Sequence, residues 1–354
     1  MSKKVNAELT GVKEIARRAN VSIATVDRVI HNRIGVSEKT KAKINKIILE
    51  LNYQPNLLAQ RLASRKIFKL ATLIPKGSDE TSFWEAPLKG IEQANSELNQ
   101  FGVNIEIYFF DQNLKESFVK QSKIILKTNP DGILFAPSFT NESISFSEKC
   151  KSQNIPYVLI DSDLPNSGSL SYMGPDLFHS GYLGANLISY LTKQTDKILV
   201  VNISKEIDTH HHLLKKSEGF RAYFKDNKLR NPILQIDVRN TDYQSIQQSL
   251  TKALKLDDDI KVLFITNSRV SDVARFLEQS KKKIILIGFD FLQKNIEYLK
   301  SGVIDFLICQ KPQEQAYRGV MALYQHLAFA IPVEKKYFMP IDIITKENYN
   351  YYRN

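Results

Sequence analysis

Apolar residues along the chain recur with two different periods, and the change from one to the other falls near Lys69. Before that point the spacing is helical. Val12, Ile15, Ala16 and Ala19 share one face of a first helix, with Thr10 placed to cap it. Asn20 and Val21 make a short turn, Ser22 caps a second helix from Ile23 to Ile30, and Gly35 breaks the chain. Ser37 then caps a third helix, whose face is Ile44, Ile47, Ile48 and Leu51 at the spacing i, i+3, i+4, i+7. Two short helices joined by a tight turn and braced by a third predict a helix-turn-helix domain.

Beyond Lys69, short apolar runs alternate with amphipathic stretches such as Phe83–Phe101 and Asp176–Thr192. The runs are LATLIP (70–75), VNIEIYFF (103–110), GILFAP (132–137), YVLID (157–161), ILVVNI (198–203), ILQIDV (233–238), VLFIT (262–266), IILIGFD (284–290) and IDFLICQ (304–310). This rhythm predicts parallel sheets covered by helices on both faces, in a span that fits two similar lobes. Ligands of such folds bind beyond the carboxyl ends of the strands. The polar residues at those ends are Asp111, Ser138, Asp161, Asp163, Asn267, Asp290 and Gln310. Singly, each is ordinarily a cap or turn residue; as a set facing one cleft they suit a polyhydroxylated ligand. Phe83 and Trp84 follow the first strand, as core residues or as a face for a sugar ring.

Charge sharpens the division. The net charge of +11 is concentrated in residues 1–69, where fifteen Lys and Arg face five Asp and Glu, a net of +10. A small folded basic domain on a neutral body points to a polyanion, most often nucleic acid. On the second helix Val26, Val29 and Ile30 face inward, leaving Ile23, Ala24, Asp27 and Arg28 as the stripe a major groove would meet. Arg28 can donate two hydrogen bonds to a guanine edge or to phosphate. Asp27 can accept from a cytosine amino group or hold the Arg28 guanidinium in one pose. The following segment, NYQPNLLAQRLASRK, has Pro55 as a stop and Asn56 as a cap for a short helix from Leu57 to Ser64. That helix is either a linker packed on the next domain or a hinge that orders on DNA and wedges a leucine into the minor groove.

Other chemistry is sparse. Cys150 and Cys309 read as free thiols. No apolar run approaches the ~20 residues of a membrane span, and the N-terminus has no secretory pattern, so a cytoplasmic location is expected. His210, His211 and His212 are adjacent and do not converge on one ion, so they read as an exposed polar turn, and no metal or cofactor is expected. No dinucleotide, phosphate-loop or nucleophile-elbow motif is present, and an enzyme is not expected.

The order and spacing of V-S-x-x-T-V-x-R-V, V-S-x-x-T, L-N-Y-x-P-N and A-x-x-L-A in residues 10–64 resemble the headpiece and hinge of the lactose-repressor (LacI/GalR) family. The resemblance implies base reading by Ile23, Ala24 and Arg28, and phosphate contacts or caps from Thr10, Ser22, Thr25 and His31. Leu62 matches the minor-groove wedge, followed by Ala63. Asp27 departs from the small hydroxyl residue usual there. Residues 1–55 would be the DNA-binding domain, 56–68 the hinge and linker, and 69–354 the effector-binding and dimerisation domain. The body resembles the family's periplasmic-binding-protein-like (type I) effector domain, most clearly in IPYVLIDSDLP, VLFITN, ILIGFD and CQKPQEQAYRG.

The same resemblance implies effector contacts from Asp161, Asn267, Asp290 and Gln310. In KKSEGF (215–220) the family usually has Arg three residues before the Gly; here it is Lys216. The family's topology implies a first lobe near 69–172 and 310–330 and a second near 173–309, with 331–354 returning to the second. The implied function is a homodimeric, effector-controlled regulator, acting on double-stranded operator DNA and responding to a sugar-like molecule. The alternative is a cytoplasmic sugar-binding or sugar-processing protein in which the headpiece is secondary.

Overall fold

The computed structural model describes residues 11–30, 33–51, 53, 66–78, 82–164, 166–205, 207, 211–257 and 259–354. The chain divides into two compact units that meet at Arg65/Lys66. The hinge helix expected over 57–64, and with it Asn56, Leu62 and Ala63, lies outside the described residues, as do Thr10, His31 and His210.

The N-terminal unit contains α1 (Val12–Ala19), α2 (Ile23–Ile30) and α3 (Glu38–Glu50). Its core is Ile15, Ala16, Ala19, Val26, Val29, Ile44 and Ile47, the apolar faces read from the spacing. The turn between α1 and α2 is made by Asn20 in the left-handed region (φ 56°), which lets Val21 N–H donate to the Ala16 carbonyl at 3.1 Å. Ser22 Oγ accepts from Thr25 N–H at 3.1 Å, and Ser37 Oγ accepts from Thr40 N–H at 3.3 Å. At α1 the N-cap position falls on Gly11, which has no side chain to cap with, rather than on Thr10.

The larger unit holds two six-stranded sheets, one per lobe. The first runs β11-β5-β4-β3-β1-β2, all neighbours parallel, with β1 Phe68–Pro75, β2 Val103–Phe110, β3 Gly132–Phe135, β4 Tyr157–Ile160, β5 Ser171–Gly174 and β11 Lys336–Phe338. The second runs β12-β10-β9-β8-β6-β7, with β6 Lys197–Ile203, β7 Ile233–Val238, β8 Ile260–Ile265, β9 Ile285–Phe289, β10 Phe306–Cys309 and β12 Asp342–Ile344. Only β12 runs antiparallel to its neighbour. Along β1, Leu70 and Ile74 pack on one face of the first sheet while Ala71 and Leu73 pack on the other. Burial on both faces is why the strands read as unbroken apolar runs. The strand order is the same in the two lobes, so β1, β3 and β4 correspond to β6, β8 and β9.

The chain crosses between lobes after β5, after β10 and after β11. The last crossing differs from expectation: the tail does not return to the second lobe at 331. Lys336, Tyr337 and Phe338 pair with Tyr172, Met173 and Gly174 at the edge of the first sheet, and only β12 joins the second. The short three-residue strands, one on each sheet, carry too little pattern to be assigned from spacing.

Two helices of the second lobe, α4 (Leu177–Ser189) and α5 (His211–Asp226), meet backbone to backbone. A Cβ on Gly219 would stand 1.9 Å from the Phe178 carbonyl oxygen, and one on Gly181 would stand 1.9 Å from that of Lys216. Both obstacles are main chain, which cannot swing aside. Gly219→Ala should therefore push the helices apart and cost about 1–3 kcal/mol, read as a lowered urea midpoint with unchanged m. A midpoint equal to wild type would show that the contact is not needed.

Candidate functional site

Between the two sheets lies a cavity of about 100 Å³, lined from both lobes at the carboxyl ends of the strands. From the first lobe come Phe83 and Trp84 after β1, Gln112 and Asn113 after β2, Ser138 after β3, and Asp161 and Ser162 after β4. From the second come Ser204 after β6, Thr241 after β7, Asn267, Ser268 and Arg269 after β8, and Asp290 after β9. Gln310 after β10 completes the ring of strand ends, and His212 and Lys216 enter from α5. Of the cleft residues expected from the sequence, Trp84, Ser138, Asp161, Lys216, Asn267, Asp290 and Gln310 meet here, whereas Asp111 and Asp163 do not.

Backbone turns and hydrogen bonds position these groups. Asp161 and Asp290 stand at corresponding positions after β4 and β9, and both adopt left-handed backbone, φ 67° and 75°. For a non-glycine residue this conformation is costly and marks a built turn. Two residues that sequence reasoning passed over hold the turns in place. Gln315 Oε1 accepts from Asp161 N–H at 2.9 Å while its Nε2 donates to the Gln310 carbonyl at 2.7 Å, so one side chain ties together two cleft residues. Asn295 Nδ2 lies 3.0–3.1 Å from the carbonyls of Ser268, Phe289 and Asp290. Asn267 Nδ2 donates to the Ile203 carbonyl at 2.7 Å, and its Oδ1 accepts from Arg269 N–H at 3.2 Å. Phe83 and Trp84 meet edge to face at 5.1 Å, with Trp84 buried in the first lobe's core as well as lining the cavity.

Electrostatics at the cleft are unusual. Lys216 is buried, with its Nζ 3.8 Å from the centroid of the Phe289 ring. Burial lowers its pKa, and the carboxylates of Asp290 and Asp161 pull it back up. Burial pushes Asp161 up to about 6 and Asp290 up to about 7, with Lys216 opposing both shifts and Asp161 adding to that of Asp290.

Some expectations are corrected. Asp111 stays outside the cavity and closes a local turn, accepting from Asn113 N–H at 2.8 Å. Asp163 is likewise outside, paired with Lys336 of β11 at 2.7 Å. The histidines are not simply an exposed turn: His212 lines the cavity, and His211 is half-buried with its pKa lowered by burial. Among the described residues no group of three or more His, Cys, Asp or Glu is placed to hold a metal ion.

On the N-terminal unit, Ser22, Ile23, Ala24 and Arg28 are exposed on one side of α2, with Thr25 and Asp27 half-buried beside them. Ser22 Oγ and Thr25 Oγ1 are 2.9 Å apart and cap the helix. Asp27 does not hold Arg28. It accepts from Arg33 Nη1 at 3.2 Å; neighbours i and i+1 on a helix point about 100° apart and do not face each other. Arg33 is exposed and Asp27 only half-buried, so the pair adds little stability.

Residues 71–330 match the profile described as the periplasmic binding protein domain, and residues 11–56 match that of the bacterial regulatory proteins of the lacI family. This chain belongs to the LacI family. Its members pair a DNA-binding helix-turn-helix unit with an effector domain of the periplasmic-binding-protein fold, and this chain is such a transcription regulator rather than an enzyme. The HTH-type transcriptional regulator MalR of Streptococcus pneumoniae is 24% identical over 284 residues, 79% of this chain and 83% of its own length. A Bacteroides fragilis protein assigned to the LacI transcriptional regulators is similar in structure, at 29% identity and TM-score 0.77, covering 81% of this chain and all of its own. GanP, a glucose-galactose binding protein from Geobacillus stearothermophilus, matches at 25% identity and TM-score 0.71, over 80% of this chain and 99% of its own. No helix among the described residues is long and apolar enough to cross a membrane.

Proposed function

We propose that this LacI-family chain acts as a homodimer on a pseudo-palindromic operator, and that a sugar or sugar derivative bound between its lobes controls operator affinity. One observation carries the effector reading: polar side chains from nearly every strand end, in both lobes, converge on one small cavity beside an aromatic pair. That is the lining expected for a compact polyhydroxylated ligand. The likeness to a glucose-galactose binding protein supports it. In this reading two headpieces present their α2 helices to successive major grooves, with Arg28 as the principal base reader and Ile23 and Ala24 beside it. Thr10, Ser22, Thr25 and His31 serve as phosphate contacts or caps, and Asn56, Leu62 and Ala63 belong to the segment that meets the minor groove. Domain boundaries at 55/56 and 68/69 follow from the same reading. Linkage requires that DNA shift effector affinity by the factor by which effector shifts DNA affinity.

The test is a thermal-shift screen of sugars, followed by operator binding with and without each hit. A hit that changes operator affinity supports the proposal; hits that leave it unchanged refute effector control. For the DNA side, Arg28→Ala should weaken binding to the specific operator by about 1–3 kcal/mol and binding to random duplex by less, in anisotropy titrations at fixed salt. Equal losses on both duplexes would exclude base reading by Arg28.

A further inference from the structure

The chemistry of the cleft narrows the class of effector, an inference that rests on the cleft being the effector site as proposed above. Asp161 of the first lobe and Asp290 of the second both line the cavity, yet among the described residues no donor reaches either carboxylate. Their hydrogen bonds run through the main chain: the Asp161 N–H to Gln315, the Asp290 carbonyl from Asn295. The buried Gln310 Nε2 and Ser162 Oγ, which belong to the same lining, are also without a partner. A buried polar group is normally satisfied, so two buried atoms without a partner and two carboxylates that accept no hydrogen bond, around one cavity, describe what the ligand must bring. It must bring hydrogen-bond donors for two carboxylates and an acceptor for an amide N–H. Hydroxyl groups do both.

The cations of the lining are already committed. Lys216 lies over the Phe289 ring and supplies the counter-charge to both aspartates, and Arg269 Nη1 donates to the Thr241 carbonyl at 3.2 Å. Among the described lining residues two carboxylates face two cations, so their formal charges cancel before any ligand enters. An anion would add a charge with no described cation left to balance it, next to two carboxylates. We infer that the effector is an uncharged polyhydroxy compound, a free sugar or sugar alcohol whose hydroxyls donate to Asp161 and Asp290 from opposite lobes. Sugar acids and sugar phosphates are excluded by charge. Lys216 therefore acts in specificity as the charge partner of the aspartates and not as an anion receptor.

The test uses the full chain in calorimetry and in fluorescence of Trp84, the only tryptophan. The probes are D-glucose, D-galactose, D-ribose and D-mannitol. Beside them run D-glucuronate and D-galacturonate, their uronamides, and the 6-phosphates of the two hexoses and the 5-phosphate of ribose. The uronamide matches the uronate in bulk and lacks its charge. The expected result is that a neutral probe binds, its uronamide binds within a few-fold where one exists, and the charged counterpart binds about 100-fold more weakly. In Asp161→Asn the preference for uronamide over uronate should fall at least several-fold, whatever the variant's absolute affinity; a merely structural defect would weaken both equally. A uronate or phosphate that binds as tightly as the neutral compound overturns the charge rule and leaves the cleft an effector site. If no probe of any charge binds, the effector reading itself fails and this inference falls with it.

Discussion

Asp290→Asn is expected to abolish the response to effector and, above pH 7, to stabilise the ligand-free protein. The substitution is nearly isosteric, and asparagine is among the few residues that accept the left-handed backbone this position requires (φ 75°). Structural damage should thus be small, and the change is confined to charge and hydrogen bonding. An amide offers one acceptor where the carboxylate offers two, and it turns donors toward hydroxyls that need acceptors. Loss of a charge-assisted hydrogen bond costs about 1.5–3 kcal/mol, roughly a 10- to 150-fold drop in affinity.

The stability effect follows from the raised pKa. Asp290 goes from an ordinary value near 3.8 to about 7, because burial penalises its charged form. Between those values the folded state binds a proton that the unfolded state has lost. Stability therefore falls as pH rises from about 4 to 7, and the whole penalty is present above 7. Asparagine has no such penalty, although Lys216 loses one of its two counter-charges, which offsets part of the gain. Melting temperatures of the ligand-free proteins at pH 5 to 8 should diverge in favour of the variant as pH rises. A variant that still responds fully to effector would show that the cleft has been wrongly assigned.

Ile44→Ala is expected to remove operator binding while sparing effector binding. Ile44 is fully buried on α3, in a core of seven buried side chains shared by all three helices of the N-terminal unit. Truncating a buried isoleucine costs about 2–5 kcal/mol. A unit of this size has only a few kcal/mol of net stability, so the headpiece should be largely unfolded. Residues 66–354 form a separate compact unit with their own cores and should keep their melting transition and ligand affinity. The check is paired: anisotropy on operator DNA and calorimetry with the effector. Intact operator binding would contradict the packing assigned to α3.

Most of the cleft could be read before the structure because of how parallel sheets fail at their ends. A strand buried on both faces is an apolar run, and the first polar residue after it is where the chain leaves the core. Ser138, Asp161, Asn267, Asp290 and Gln310 all stand at or just beyond such strand ends and line the cavity. The same rule over-reached at Asp111 and Asp163, because a carboxylate at a strand end serves equally well in a turn or an ion pair. Asp163 found Lys336, more than 170 residues away, on a three-residue strand with no period to detect. The rule under-reached at His212, which enters from a helix, and at Thr241, which lies beyond an edge strand. Gln315 and Asn295 were invisible to it, since they touch main-chain atoms whose positions only the fold defines. Asp27 shows the complementary failure: adjacency in sequence suggested Arg28, but helical geometry separated the two and a loop residue took the place. The headpiece is the most legible part, because its apolar faces, its turn and the Ser22 and Ser37 caps all point the same way, although the first cap falls on Gly11.

The most direct test of the whole account is a titration of the full-length protein against a genomic fragment selected by its own binding, across a range of salt concentrations, with and without a neutral sugar that binds the cleft. The expected result is a preference for that fragment over random duplex, a steep fall of affinity with salt, and a several-fold change in operator affinity on adding the sugar. Salt-insensitive binding, no preference for any fragment, or an operator affinity indifferent to a sugar that demonstrably occupies the cleft would contradict it.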